Sequence, residues 1–411
     1  MSFLFASICL LLTIQLGYPF GTVLWAQLLA KRAFQMPESS KNKTHRPLDF
    51  ACVITAYKNA ALAQPLVASL LSQRHARFMI YLVADDCPEF EFGITDPRFV
   101  LLRPEFPLRL KVKSILHALN HFSRSPDFIA VFDADNLVPP NFLEEIEPLA
   151  HAGFCCIQGQ RTAKNLDTNY AAMDSLGEHY KNYIEREVPF RLGGSAVISG
   201  SGMVTETALY EAYLDSQEIQ QGMEQGKGML QEDKILQNFL LRNGVRIAYA
   251  PNAIVYDEKV ELGEAVETQR SRWLYSYFQN LPNAWGILAR GFSGLNFNQL
   301  YFGLVTLALP MFIQLGLALG LFLLALMIAP VWAGILAVGI AVFALNILWT
   351  LYLTDAPPEV KRVVWQTPKF VWRQFKGLFK MFDPEKHFKH TEHSKVLSIN
   401  ELPHVKSDAE H

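Results

Sequence analysis

Asp133 and Asp135 close the apolar run Ile129–Phe132 in the stretch IAVFDADNLVPP, with one alanine between them. Two carboxylates so spaced at the end of a strand can present hard oxygens to one divalent cation, and Mg2+ or Mn2+ favours carboxylate, water and phosphate oxygens. A cation held there neutralises charge building on a departing phosphate. Taken alone, the pair also fits a polar turn, because Asp-x-Asp arises by chance in many chains. Other polar groups follow apolar runs in TAYKN (Thr55–Asn59) and ADDC (Ala84–Cys87). QEDKILQNFLL carries Glu232 and Asp233. Such acids suit the first turn of a helix or the removal of a proton from an attacking hydroxyl. QRSRW, Gln269–Trp273, adds two guanidinium forks suited to an anion, beside an aromatic ring.

These groups need a scaffold that brings them to one edge. Short runs rich in β-branched and aromatic residues predict strands over Phe50–Thr55, Phe78–Ala84, Phe99–Leu102, Phe128–Phe132 and Phe154–Gln158. Longer amphipathic segments between them predict helices over Leu62–Ser72, Val112–Phe122 and Phe142–His151, the last after Pro139-Pro140-Asn141. The alternation predicts an α/β domain with a mostly parallel sheet covered by helices on both faces. Ligands of such sheets bind beyond the carboxyl ends of the strands. Thr55, Asp85, Asp86, Asp133 and Asp135 would then share one cleft.

Half of the 411 residues are hydrophobic and 18% are charged, which suits a membrane-attached protein with one substantial soluble domain. The net charge of -2 gives no global positive field, so nucleic acid is not an expected partner. The five cysteines show no paired spacing and read as reduced thiols. Phe3–Ala30 is long enough for an uncleaved membrane anchor, kinked near Gly17-Tyr18-Pro19, and Lys31-Arg32 place the adjoining domain on the cytoplasmic side. Pro37–Pro47 reads as a polar linker. Leu300–Ile328 and Val331–Leu353, broken by Ala329-Pro330, predict a helical hairpin of two further spans. Val360–Phe382 mixes aromatic and basic residues as an interfacial helix does. The expected division is an anchor (1–30), a linker (31–48), a cytoplasmic catalytic domain (49–285), an interfacial segment (286–299), two spans (300–353) and a cytoplasmic interfacial helix with a polar tail (354–411).

With SGSGM (Ser199–Met203) and the ordered set of an Asp pair, Asp-x-Asp, Glu-Asp and Gln-x-x-Arg-Trp, the region Asp49–Gln279 resembles the membrane-integrated family-2 glycosyltransferases. That group includes the cellulose, chitin, hyaluronan and poly-N-acetylglucosamine synthases and ceramide glucosyltransferase. The resemblance implies a Rossmann-like domain of the glycosyltransferase A type and inverting transfer from a nucleotide sugar, a UDP-sugar first, with Mg2+ or Mn2+. Asp85 or Asp86 matches the aspartate that contacts the base, and Thr55, Ala56 and Tyr57 would line the same pocket. Asp135 matches the direct metal ligand and Asp133 its partner toward the donor. Lys113 sits where the family often carries a lysine near the nucleotide. Asp233 matches the base and Glu232 its neighbour. Gln269, Arg270, Arg272 and Trp273 match the motif that binds diphosphate and closes over the acceptor. Ser201 and Gly202 read as a tight turn near the acceptor, and Thr391 as part of a C-terminal gate. His387, His390 and His393 are not read as a zinc site, since no cysteine joins them. The acceptor is expected to be a growing polysaccharide at the cytoplasmic membrane face, with a lipid receiving a single sugar as the second reading and a catalytically silent membrane subunit as the third. Membrane lipids are expected partners, and a second subunit or another copy would supply further spans.

Overall fold

The computed structural model describes residues 3–33, 46–224, 231–261, 263–367, 371 and 397–402. In chain order the elements begin with α1 (Phe3–Ala33), β1 (Phe50–Tyr57), α2 (Gln64–Leu71), β2 (Phe78–Asp85), β3 (Phe99–Leu102), α3 (Lys111–Leu119), β4 (Phe128–Asp133) and α4 (Phe142–His151). β5 (Cys156–Ala163), α5 (Asn169–Lys181), α6 (Val188–Arg191), β6 (Met203–Glu206), α7 (Thr207–Leu214), α8 (Gln217–Glu224), α9 (Glu232–Arg242) and β7 (Ile247–Asp257) come next. α10 (Gly263–Ser293), α11 (Phe297–Leu307), α12 (Met311–Ile328), α13 (Pro330–Leu353) and α14 (Pro358–Val363) complete the set. The chain divides into two compact units, one of residues 35–165, 194–258 and 392–411, the other of 1–34, 166–193 and 259–391.

The first unit holds a seven-stranded sheet in the order β3-β2-β1-β4-β6-β5-β7. β1, β2, β3 and β4 run parallel, β6 runs antiparallel to β4 and β5, and β5 and β7 are parallel. β2 is buried along its whole length and β1 and β4 nearly so, which a strand achieves only with helices over both faces. The covering helices bury residues at helical spacing: Leu66, Val67 and Leu70 on α2, Val112, Ile115 and Ala118 on α3, Phe142, Leu143, Ile146 and Leu149 on α4. Phe142 meets Phe132 edge to face at 5.4 Å, a contact worth about 0.5–1.5 kcal/mol beyond its buried area.

β1, β2 and β4 end at Tyr57, Asp85 and Asp133, beyond the expected Thr55, Ala84 and Phe132, so sheet pairing itself carries two of the acids. β6 and β7 were not expected. β6 is only four residues long, and Pro251 interrupts the β-branched pattern of β7 where the β5 register shifts between Gly159 and Gln160.

The second unit contains three helices long and apolar enough to cross a membrane: Phe3–Leu29, Met311–Ile328 and Pro330–Leu353. α1 continues through Pro19. The expected span Leu300–Ile328 is divided at Ala308-Leu309-Pro310 into α11 and α12, because proline offers no N–H and turns the residue before it out of the helical region. Leu12, Leu16, Ala318, Ala325, Leu336 and Phe343 are buried in one apolar cluster of α1, α12 and α13. α5 and α10 also fall in this unit, where a continuous domain over 49–285 was expected. Ala172, Met173 and Leu176 of α5 bury against Val266, Leu351, Val360 and Val363, contacts that tie this stretch to the second unit. The stretch 286–299 completes α10 and opens α11. Most of the expected interfacial helix Val360–Phe382, together with Thr391 and the histidines at 387, 390 and 393, lies outside the described residues.

Candidate active site

The parallel register sets Tyr57 beside Asp85 and Thr55 beside Asp133, so the carboxyl ends of β1, β2 and β4 share one edge. Asp85 is buried, and its two oxygens accept the N–H groups of Leu108 and Arg109, each at 2.7 Å. It therefore staples the turn that enters α3. Asp86 stands exposed in the left-handed region at φ 52°, and of the two it is the acid presented outward. Asp85→Ala should cost ~1–3 kcal/mol by removing the charged acceptor of two turn N–H groups, whereas Asp86→Ala should stay within about 0.5 kcal/mol in denaturant melts.

The stapled turn aims the first residue of α3 inward. Lys111 Nζ donates to Asp133 Oδ1 at 2.5 Å and to the Gly200 carbonyl at 2.7 Å, and lies 4.0 Å from Glu232 Oε1. Burial works against the ammonium, but Asp133, Glu232 and Asp233 outweigh it and hold the Lys111 pKa above its ordinary value. Lys113, two residues on, points elsewhere, since two helical steps turn a side chain by roughly 200°. It lines a surface hollow with Leu108, Leu116, His117, Asn120, Met223 and Glu224. Of the two lysines of KVK, Lys111 is the one that reaches the Asp133 carboxylate.

Asn136 organises the Asp-x-Asp loop. Its Oδ1 accepts the Asp133 N–H at 2.9 Å and the Ser201 hydroxyl, and its Nδ2 donates to Asp135 Oδ1 at 3.4 Å. Lys164 Nζ donates to the Asp135 carbonyl at 3.3 Å. Ser201 has no exposed surface, and its hydroxyl donates to Asn136 Oδ1. Gly202 is buried with it, and its φ of +64° and the 2.5 Å that an added Cβ would leave to Val255 Cγ2 make glycine obligatory.

At Gly200, φ +79°, an added Cβ would lie 3.6 Å from Asp233 Oδ2, so the turn places its bare backbone against that carboxylate. Asp233 and Glu232 occupy the first turn of α9, where the helix terminus favours negative charge. Asp233 Oδ1 accepts the Lys234 N–H at 2.8 Å, and the Tyr213 hydroxyl donates to the Glu232 carbonyl at 2.8 Å. Burial, opposed by Lys111 and reinforced by Asp233, pushes the Glu232 carboxyl up to about 7. Between its ordinary 4.5 and about 7 the unfolded chain releases this proton while the folded one keeps it, so the residue lowers stability as pH rises through that window. Glu232→Gln should therefore raise the melting temperature at pH 8 and change it little at pH 4.5, an effect bounded at ~3 kcal/mol.

The Gln269–Trp273 motif lies on α10 in the other unit. Arg270 Nη2 pairs with Asp174 Oδ1 of α5 at 2.5 Å, and its guanidinium lies 4.4 Å from the Trp273 ring centre. Lys181 Nζ lies 4.8 Å from the same ring. The Trp273 ring, expected to close over the acceptor, thus carries two cations, contacts worth about 0.5–2 kcal/mol each. Gln269 and Arg272 are half-buried on the same helix.

Asp133 and Asp135 supply only hard oxygens, and no group of three or more His, Cys, Asp or Glu forms a metal cluster among the described residues. Such a pair fits Mg2+ or Mn2+ completed by ligand phosphates better than a closed protein cage.

Residues 46–276 match the family model described as glycosyltransferase like family 2. No curated protein matches the chain. Among solved structures, the chain is similar to the mannosyltransferase PcManGT from Pyrobaculum calidifontis in complex with GDP-Man and Mn2+, at 15% identity over 93% of this chain and 99% of that one, TM-score 0.51. It also aligns with residues 1–349 of TarS from S. aureus at 12% identity over 85% and 94% of the two chains, but a TM-score of 0.40 carries no weight.

Proposed function

The chain belongs to the glycosyltransferase-like family 2, with a fold of the glycosyltransferase A type, and we propose that it is an inverting hexosyltransferase that moves a sugar from a nucleotide donor to an acceptor at the cytoplasmic face of a membrane. One observation carries the reading. Lys111 ties Asp133, at the end of β4, to the Gly200 turn against which Asp233 rests.

Thr55, Ala56 and Tyr57 at the end of β1 and Asp86 after β2 border the space for the nucleoside. Asp133 and Asp135 would hold Mg2+ or Mn2+, which when bound supplies positive charge to the leaving diphosphate. The mannosyltransferase of similar fold is described with ligands of this class, GDP-Man and Mn2+. Lys111 adds a protein cation beside the same phosphates. Asp233 takes the proton of the acceptor hydroxyl as its oxygen bonds to the anomeric carbon. A single displacement uses one base and no carboxylate nucleophile, so the anomeric centre inverts. Within the second unit, Arg270 positions Trp273 through Asp174.

For the acceptor, the apolar filling of α1, α12 and α13 favours a lipid receiving a single sugar over an exported polysaccharide, since these helices pack on each other and leave their shared interior to side chains. A polymer would need spans from another copy or a partner subunit. The purified protein, given a labelled UDP- and GDP-sugar panel with Mn2+ and a membrane lipid extract, should consume one donor and yield a single-sugar glycolipid. A ladder of products would select the polysaccharide reading, and consumption of no donor would leave only the silent subunit.

A further inference from the structure

Leu402 has no exposed surface and packs against Leu137 and Tyr256, with Ile254 and Ile399 against the same cluster. The turn that delivers it is fixed locally. Ser398 caps Ile399–Glu401, its N–H and hydroxyl both donating to Glu401 Oε2, at 2.7 and 2.8 Å. Leu137 stands two residues past Asp135 and exchanges two backbone hydrogen bonds with Tyr256 of β7, each 2.9 Å. Between them Asn136 bonds both to the Asp133 backbone and to the Asp135 carboxylate. Support under Leu137 is thus passed within one or two residues to both acids. Burial of a whole leucine side chain is enough to decide whether a loop held by two backbone bonds stays closed.

We propose that Leu402 is a positioning residue of the donor site: the C-terminal turn Ser398–Leu402 braces the far side of the Asp-x-Asp loop and holds Asp135 where a nucleoside diphosphate and its divalent cation bind. The inference rests on the nucleotide-sugar reading of that loop. It makes this C-terminal segment, which shares no sequence motif with the site, a determinant of donor affinity and not of the chemical step.

The test compares the full chain with Leu402→Ala and Leu402→Met. Amide hydrogen exchange of the peptide containing Leu137 reports the brace without any ligand, and calorimetry with UDP or GDP and Mn2+ reports its consequence. Leu402→Ala should speed exchange at Leu137 and Tyr256 and weaken nucleotide binding about tenfold, as the loss of supporting contacts behind metal ligands does. The donor KM should rise in step, with kcat within about twofold, and Leu402→Met should restore all three. Unchanged exchange, or faster exchange with unchanged nucleotide affinity, would overturn the brace while the site reading stands. A parent chain that binds neither UDP nor GDP would overturn both. A kcat loss at unchanged affinity would reassign Leu402 away from the donor.

Discussion

Asp233→Asn should lower kcat for sugar transfer by about 10²–10⁴-fold while the donor KM stays within about threefold. Asparagine has the shape of aspartate, still accepts the Lys234 N–H at Oδ1 and still rests against Gly200, so the fold and the donor pocket keep their geometry. It loses the ability to take a proton. Glu232 is not placed to substitute, because its carboxyl faces Lys111 at 4.0 Å. Initial rates of nucleoside diphosphate release check this, with donor binding measured in parallel. A variant that transfers at the parent rate would remove Asp233 from the chemistry.

Lys111→Met should be the second most damaging change, lowering kcat/KM about 100-fold. The ammonium is the cation within reach of three carboxylates: it bonds Asp133, lies near Glu232 and is raised in pKa partly by Asp233. Methionine fills the space but leaves those charges facing one another around a donor that is itself an anion. Removing one member of a partly buried pair leaves an uncompensated charge and costs up to about 3–5 kcal/mol, less here because Asp133 is 41% exposed. Lys111→Arg should recover part of the loss by keeping the charge. Lys113→Met should leave donor KM within about twofold, so the two lysines of KVK separate cleanly in the same assay.

The strand ends were legible because each is an apolar run that stops abruptly at a polar group, and pairing carries Asp85 and Asp133 to the edge the pattern indicated. The helix-start reading of Glu232 and Asp233 was legible, since both acids occupy the first turn of α9. The choice between Lys111 and Lys113 was not legible. A segment with lysines two apart offers either face of a helix, and only the burial of Val112, Ile115 and Ala118 fixes which one turns inward. Asn136 could be noticed as the residue after Asp135, yet its role depends on Ser201, 65 positions away. The same distance hid the burial of Ser201, which the glycine-rich spelling placed near the acceptor. The Pro310 break was available from the sequence, but uncharged residues on both sides masked it in a reading based on hydropathy. The pairing of Arg270 with Asp174 joins α10 to α5 across 96 positions and leaves no local signature.

The anomeric configuration of the transferred sugar is the most direct test of the assignment of a single base at Asp233. With the accepted nucleotide sugar, α-linked as supplied, the product's anomeric proton coupling or carbon shift in NMR should report a β linkage. An α-linked product would mean that configuration is retained, and would contradict the inverting single displacement assigned to Asp233.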